Sequence, residues 1–197
     1  YPCSNVDLES FVSLSDLSLG QSARANDIWG WTSGTREFAI IGLNVGTSFV
    51  EVSNPTNPVV IGFLATKTSS SSWRDIKVYS DHAFIVSEAS GHGMQVFDLT
   101  KLLTASAGTT FTEDAHYSAF GNAHNVFVNE ATGFAYAVGT STCAGGLHMV
   151  DVTTPTNPTS AGCYSGSGYT HDVQCVLYDG PDGEHNGKEI CFACNED

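Results

Sequence analysis

Asn26-Asp27-Ile28-Trp29 is a short stretch that returns three more times, in altered form, along the 197-residue chain. Each copy places two polar residues before a β-branched residue; the later copies are Arg74-Asp75-Ile76-Lys77, His124-Asn125-Val126-Phe127 and His171-Asp172-Val173-Gln174. From residue 27 to residue 75 is 48 positions, from 75 to 125 is 50, and from 125 to 172 is 47. A period in this range is typical of propeller blades and solenoid turns.

Three further apolar segments follow the first copy of this stretch, over residues 37–41, 48–52 and 59–64. The last two are joined by Asn54-Pro55-Thr56-Asn57-Pro58, and the third unit contains the nearly identical Thr154-Pro155-Thr156-Asn157-Pro158. Proline fixes φ and lacks an amide donor, so both segments are expected to lie between strands. The pattern predicts an all-β fold of β-propeller-like repeats of about 48 residues, with four short strands each.

The repeats divide one domain into five consecutive parts. These are an N-terminal segment (1–25), repeat 1 (26–72), repeat 2 (73–122), repeat 3 (123–170) and a partial repeat 4 (171–197). Residues 5–12 resemble a fourth strand, so we expect a ring-closing strand there. Closed propellers need about 4 to 8 blades. We therefore expect an incomplete ring, with an open strand edge that is available for self-association.

Composition and charge restrict the classes of function. The 20 glycines and the 11% of aromatic residues, together with many serines and threonines, favour short strands and tight turns over helices. The 21 acidic and 7 basic side chains give a net charge of −14, which repels phosphate backbones and anionic membrane surfaces. No apolar run in the sequence is long enough to span a membrane. We therefore expect no nucleic-acid partner and no membrane insertion within this chain.

Six cysteines indicate disulfides, because only Cys191 and Cys194 form the C-x-x-C pair that a four-cysteine zinc site needs twice. Cys175 and Cys191 lie on two apolar segments separated by a turn-rich loop, which favours a cross-strand bridge. The other candidates pair Cys143 with Cys163 and Cys3 with Cys194. Six cysteines allow 15 connectivities, so other pairings stay open. Disulfides predict a secreted, extracellular or cell-surface location.

Several long strings in the chain resemble the choice-of-anchor B family, whose members carry LVIVD-type repeats. The strings are Tyr1-Pro2-Cys3-Ser4-Asn5-Val6-Asp7-Leu8, Asn26-Asp27-Ile28-Trp29-Gly30-Trp31, Ser72-Trp73-Arg74-Asp75-Ile76-Lys77, His92-Gly93-Met94-Gln95-Val96-Phe97-Asp98-Leu99, Gly168-Tyr169-Thr170-His171-Asp172 and Asn195-Glu196-Asp197. The resemblance covers nearly the whole chain. It implies a secreted or surface-displayed, propeller-like protein of which this chain is the N-terminal portion, with further repeats after Asp197. The family brings no established reaction with it.

The polar pair that opens each repeat is a candidate cation site. A propeller places equivalent residues near one end of its central channel, so these side chains would converge there: Asp27, Asp75, His124, His171 and Asp172. Carboxylate oxygens suit Ca²⁺, and imidazole nitrogens suit Zn²⁺. The alternative is that the same side chains bond the backbone of neighbouring blades. No tight ligand spacing such as H-E-x-x-H decides between the two interpretations.

Four aromatic residues are candidates for binding an extracellular protein or a glycan: Trp29, Trp31, Trp73 and Tyr169. Exposed aromatic rings give a large contact area at a low cost in side-chain entropy. The alternative is that the rings fill the space between neighbouring sheets.

Motif searches find no catalytic signature. Gly46-Thr47-Ser48-Phe49-Val50 does not match G-x-S-x-G, and the chain contains neither a P-loop nor H-E-x-x-H. We therefore expect a secreted or cell-surface β-propeller-like module for protein or glycan binding or for extracellular assembly, without catalysis. The alternative is a metal-dependent propeller hydrolase, in which a divalent cation held by His124, His171 and neighbouring acids polarises a water or an ester.

Overall fold

The structure is a computed structural model that describes residues 4–196. Within these residues the chain is all-β, with one short helix, α1 (Leu14–Leu17), and 3₁₀ helices at Leu99–Leu103 and Cys143–Gly145. The strands are β1 (Ala25–Ser33), β2 (Arg36–Leu43), β3 (Gly46–Glu51), β4 (Val59–Ala65), β5 (Arg74–Tyr79), β6 (His82–Ser87), β7 (Met94–Asp98), β8 (Thr109–Phe111), β9 (Ala115–Tyr117), β10 (Asn125–Asn129), β11 (Phe134–Val138), β12 (Leu147–Asp151), β13 (Thr159–Tyr164), β14 (Thr170–Leu177) and β15 (Glu189–Asn195). No helix in this part of the chain combines the length and the hydropathy that a membrane span requires.

The strands form four small sheets, which we number along the chain. Sheet 1 has the order β1-β2-β3-β4-β8, sheet 2 has β5-β6-β7-β9, sheet 3 has β10-β11-β12-β13, and sheet 4 pairs β14 with β15. Neighbouring strands are antiparallel, except that β8 joins β4 in parallel. The two proline-containing turns lie between β3 and β4 and between β12 and β13, as the missing amide donor of proline predicts.

Successive sheets pack face to face, with an apolar core between each pair. Strand β6 is apolar over residues 83–86 because alternate side chains of a strand point to opposite faces, and both faces of this strand are covered. Ala83 and Ile85 therefore enter the core between sheets 1 and 2, whereas Phe84 and Val86 enter the core between sheets 2 and 3. Val138, Leu147, Val173 and Cys175 form the core between sheets 3 and 4.

The N-terminal segment covers part of the outer face of sheet 1. Ser13 caps α1 by accepting a hydrogen bond from the amide of Asp16 at 3.1 Å, and Leu17 packs on Leu43, Val50 and Phe63. Residues 5–12 adopt no strand, and three of their four apolar side chains are exposed, those of Val6, Leu8 and Phe11; Val12 is partly buried. A strand is not stable without a neighbouring edge. A ring-closing strand at 5–12 is therefore not formed in this structure and stays a prediction.

Two disulfides link neighbouring segments of the second half of the chain. Cys175 and Cys191 are directly opposite each other in β14 and β15, and Cys143 joins the 3₁₀ turn before β12 to Cys163 in β13. Both are pairs that the strand pattern favours. The third candidate pair joins Cys194 to Cys3, which lies outside the described residues.

Removal of the Cys175–Cys191 bridge by the double substitution Cys175→Ser and Cys191→Ser is expected to lower the free energy of unfolding by about 3 kcal/mol. The bridge spans a sequence separation of 16, and opening it restores conformational entropy to the unfolded chain. Urea denaturation followed by near-ultraviolet circular dichroism measures the effect. The pair Cys143→Ser and Cys163→Ser, with a separation of 20, should give a similar loss. A urea midpoint equal to that of the parent chain would contradict the expectation.

Candidate functional site

The first strands of the four sheets lie side by side, in the order β1, β5, β10 and β14. They border a cavity of about 660 Å³, which we call the first-strand cavity. Because alternate residues of a strand share a face, each strand contributes two residues that are two positions apart. These pairs are Asp27 and Trp29, Asp75 and Lys77, Asn125 and Phe127, and Asp172 and Gln174. The lining also includes Val126, Val173 and, from β15, Phe192 and Cys194.

A smaller pocket of about 200 Å³ lies at the N-terminal end of β5 and β10 and shares residues with the first-strand cavity. Asp27, Asp75 and Asn125 line both spaces. The residues found only in the smaller pocket are Asn26, Trp73, Arg74, His124 and His171. We call this space the histidine pocket. The polar pairs that open the predicted repeats therefore converge on two adjoining pockets.

The carboxylates of these pairs hydrogen-bond the backbone of the next first strand. Asp27 Oδ2 accepts from the amide of Ile76 at 2.9 Å, and Asp75 Oδ2 accepts from the amide of Val126 at 2.7 Å. Asp172 instead accepts from the amide of its own neighbour, Val173, at 2.8 Å. Asp27 and Asp75 thus do what the second interpretation of the repeat predicts: they join one sheet to the next.

Two amides make equivalent links. Asn26 Nδ2 donates to the carbonyl of Arg74 at 2.7 Å, and Asn125 Nδ2 donates to the carbonyl of His171 at 3.2 Å. Among the five candidate cation ligands, the structure brings the imidazoles of His124 and His171 together. Nowhere in residues 4–196 do three His, Cys, Asp or Glu side chains converge on one point.

Crowded charges line one side of the first-strand cavity. Burial, followed by the charge of the Asp75 carboxylate, raises the pKa of Asp27 to about 6. Lys77 Nζ lies 2.6 Å from Asp75 Oδ1 and 4.6 Å above the ring of Trp29. One oxygen of Asp75 therefore bonds the backbone while the other pairs with Lys77, which leaves the Asp27 carboxylate without a cation of its own.

The two histidines of the histidine pocket contact each other through their Nε2 atoms, which are 3.0 Å apart, and their rings are tilted by 59°. On the opposite side of the His124 ring, Nδ1 lies 2.5 Å from Glu88 Oε1. A carboxylate at Nδ1 accepts the Nδ1 proton and leaves Nε2 with its lone pair. Glu88, His124 and His171 thus form one row of polar contacts that links sheets 2, 3 and 4.

Tyr169 packs beside His124, and the position of its ring depends on Gly139. Gly139 has φ of +59°, and a Cβ atom there would lie 2.6 Å from both His124 Cβ and the hydroxyl of Tyr169. Burial, and then the charges of Glu88 and Glu196, raise the pKa of Tyr169. The absence of a side chain at position 139 therefore allows the ring of Tyr169 to approach His124.

Arg74 supports the same end of β5 from inside the protein. Its side chain is 1% exposed, and it donates to the carbonyl of Leu43 at 2.9 Å, to Thr66 Oγ1 at 2.7 Å and to His92 Nε2 at 2.9 Å. Burial lowers the pKa of Arg74 to about 10, so the guanidinium remains charged at neutral pH. Burial and the Arg74 charge lower the pKa of His92 to about 4. A neutral imidazole is therefore the acceptor for a buried cation.

The four candidate aromatic residues lie in different environments. Trp29 is 40% exposed in the first-strand cavity, and Trp73 is 52% exposed at the histidine pocket. Tyr169 is half-buried beside His124. Trp31 is 6% exposed, packs on Phe38 and belongs to the core between sheets 1 and 2, so it does not present a binding surface.

No role is predicted from the sequence for three residues around the pockets, which are Glu88, Arg74 and His92. Glu88 follows β6 at the position that Asn44 occupies after β2 and Gly139 after β11. Because the three residue types differ, comparison of the repeats gives no reason to select Glu88. Its proximity to His124, 36 positions away, arises only from the packing of sheet 2 on sheet 3.

No protein-family model matches the chain, and a search of curated proteins returns no significant match. The resemblance to the choice-of-anchor B family therefore depends on the strings quoted above.

The substitution Asp27→Asn is expected to remove a pH dependence of stability. The unfolded Asp27 carboxyl has a pKa near 3.8 and the folded one about 6, so the folded state binds the proton more tightly. This contribution is fully present below about pH 4 and is lost as pH rises through about 6. An asparagine keeps the acceptor for the Ile76 amide without the charge. Melting temperatures between pH 4 and pH 8 should therefore show a gain over the parent chain at pH 7 and little change at pH 4.

Asp27→Ala is the control for this measurement, because it removes the acceptor as well as the charge. It should lower the melting temperature at pH 4, where Asp27→Asn does not. An unchanged pH slope in Asp27→Asn would contradict the role assigned to the Asp27 charge.

His92 is expected to produce the opposite pH slope. Its folded pKa, about 4, lies below the unfolded value of 6.5, so the unfolded chain binds more protons and stability is lost as pH falls from about 6.5 to 4. His92→Gln keeps a neutral acceptor for Arg74 and should weaken this loss. His92→Leu removes the acceptor and should cost about 3 kcal/mol in urea denaturation at pH 7, because a buried cation loses a partner. Equal stabilities of the two variants at pH 7 would refute this role.

Proposed function

We propose that the chain is a secreted or cell-surface binding module of the choice-of-anchor B type, built from β-propeller-like units of four strands, and that its first-strand cavity binds a glycan. The observation that carries the proposal is the lining of this cavity. It combines carboxylates and amides with the exposed indole of Trp29. Polar groups of this kind accept and donate hydrogen bonds to sugar hydroxyls, and an indole face stacks on a sugar ring.

The arrangement of the sheets supports a propeller-like assembly. The first strands lie side by side around the cavity, and the other strands of each sheet follow in chain order away from it. In a propeller the innermost strand of each blade lines the central channel. The channel is also where ligands would enter, because it is the space that several units border together.

Two observations support an extracellular location. The disulfides Cys143–Cys163 and Cys175–Cys191 suit an oxidising compartment. The net charge of −14 repels nucleic acids and other polyanions, so an uncharged or cationic ligand fits this surface better. A neutral glycan meets this condition, and its hydroxyls match the many acceptors of the cavity.

The geometry at Trp29 determines which contacts the ligand makes. Lys77 covers one face of the indole at 4.6 Å and pairs with Asp75. The ligand therefore stacks on the part of the ring that Lys77 leaves exposed. Asp172 and Gln174 lie on β14 across the cavity and supply the opposite hydrogen-bonding wall.

A broad glycan array probed with the full chain tests the proposal. Binding of a neutral glycan is expected, and Trp29→Ala should weaken it about tenfold or more in calorimetry because the stacking surface is lost. Asp172→Asn should also weaken it, since this carboxylate makes no link to a neighbouring sheet in the described residues.

Phe11→Ala is the matched control, because Phe11 is an exposed aromatic side chain that does not line the first-strand cavity. It should leave glycan binding unchanged. The proposal fails if the array shows no binding, or if Trp29→Ala and Asp172→Asn bind as the parent chain does. A partner protein that binds at Trp29 while glycans do not would replace the glycan with a protein ligand.

A further inference from the structure

The histidine pocket contains a pair of imidazoles whose Nε2 atoms are in contact. The two nitrogens are 3.0 Å apart, and the ring centroids are 4.2 Å apart. His124 precedes β10, and His171 lies in β14, so the pair spans two sheets. The pocket beside them holds about 200 Å³ and is open to solvent, with Trp73 at its rim.

The hydrogen bonds within residues 4–196 leave each Nε2 atom of the pair with no protein partner other than the second Nε2 atom. Glu88 Oε1 lies 2.5 Å from His124 Nδ1, which places the His124 proton on Nδ1 and frees Nε2. His171 Nδ1 has no hydrogen-bond partner within residues 4–196, so this ring can carry its proton on Nδ1, in which case the contact between the two Nε2 atoms is not a hydrogen bond. Both Nε2 atoms are then available as donors of electron pairs.

We propose that His124 and His171 bind one transition-metal ion of the Zn²⁺ class through their Nε2 atoms, with Glu88 as the residue that orients His124. Two nitrogens bound tetrahedrally at about 2.0–2.1 Å from zinc are about 3.3 Å apart, close to the observed separation. A carboxylate on the far nitrogen of a metal-binding histidine is the usual orienting partner. Water or a bound ligand completes the coordination.

The donor set selects the class of metal. Two imidazole nitrogens suit Zn²⁺, Cu²⁺ and Ni²⁺, whereas Ca²⁺ and Mg²⁺ need oxygen ligands. The nearby carboxylates of Asp27 and Asp75 already bond backbone amides. Because the two histidines belong to sheets 3 and 4, the metal would link these sheets and stabilise the folded chain.

Calorimetric titration of the chelator-treated full chain with ZnCl₂ at pH 7.5 tests the site. One zinc ion per chain is expected, and His124→Gln or His171→Gln should reduce the affinity more than about tenfold because one of two ligands is lost. His185→Gln is the matched control, since His185 is an exposed histidine in the loop between β14 and β15. This control should bind zinc as the parent chain does.

Two spectroscopic and thermal readouts separate binding from folding defects. Electron paramagnetic resonance of the Cu²⁺ form should show two equivalent nitrogen ligands in the parent chain and one in His171→Gln. Zinc should raise the melting temperature of the parent chain but not that of the double variant His124→Gln, His171→Gln.

Glu88→Gln tests the positioning role. It should lower zinc affinity about tenfold and retain both nitrogens in the Cu²⁺ spectrum. An affinity unchanged by this substitution would remove Glu88 from the proposal.

The site is overturned if zinc binds the parent chain no more tightly than the double variant, or if the Cu²⁺ spectrum contains fewer than two nitrogens. The pair would then be an imidazole–imidazole hydrogen bond that joins the sheets. This outcome is independent of glycan binding, because the glycan test uses Trp29 and Asp172, which contact neither histidine in the described hydrogen bonds.

Discussion

The fold depends on a carboxylate of one sheet accepting a hydrogen bond from a backbone amide of the next. Apolar packing between the sheets is strong but has no direction, so it does not by itself fix how far one sheet slides past another. The contacts from Asp27 to Ile76 and from Asp75 to Val126 are directional and fix that offset. Since both carboxylates also line the first-strand cavity, the bonds that align the sheets also define the polar lining of the cavity.

Much of the fold could be predicted from the sequence, because alternation and proline-containing turns are local signals. Strands β2, β3 and β4 lie where the apolar segments 37–41, 48–52 and 59–64 predict them, whereas residues 5–12 form no strand. The depth of a side chain was harder to predict. Trp29 and Trp31 point to the same face of β1, yet Trp29 borders the cavity and Trp31 is in the core. The alternation of apolar and polar residues predicts which face of a strand a side chain occupies. It does not predict at which residue of the strand the neighbouring sheet begins to cover that face.

The candidate site was predictable only as far as the repeat extends. His124 and His171 occupy the same position in successive units, so their proximity follows from the packing of one sheet beside another. Glu88 could not be found in this way, because its counterparts are Asn44 and Gly139. A repeat predicts which positions converge. It does not predict a contact made by a residue whose type differs between the units, such as the contact of Glu88 with His124.

The residues that depart from the repeat are concentrated in the second unit, and they surround the histidine pair. Arg74 stands where the other units have asparagine or histidine, and its buried charge needs the neutral ring of His92. Glu88 in the same unit supplies the charge that orients His124. Matched positions such as Asp27 and Asp75 maintain the alignment of the sheets. Alignment of the sheets needs neither a buried cation nor an orienting carboxylate, so these two departures belong to the part of the fold where the proposed metal site lies.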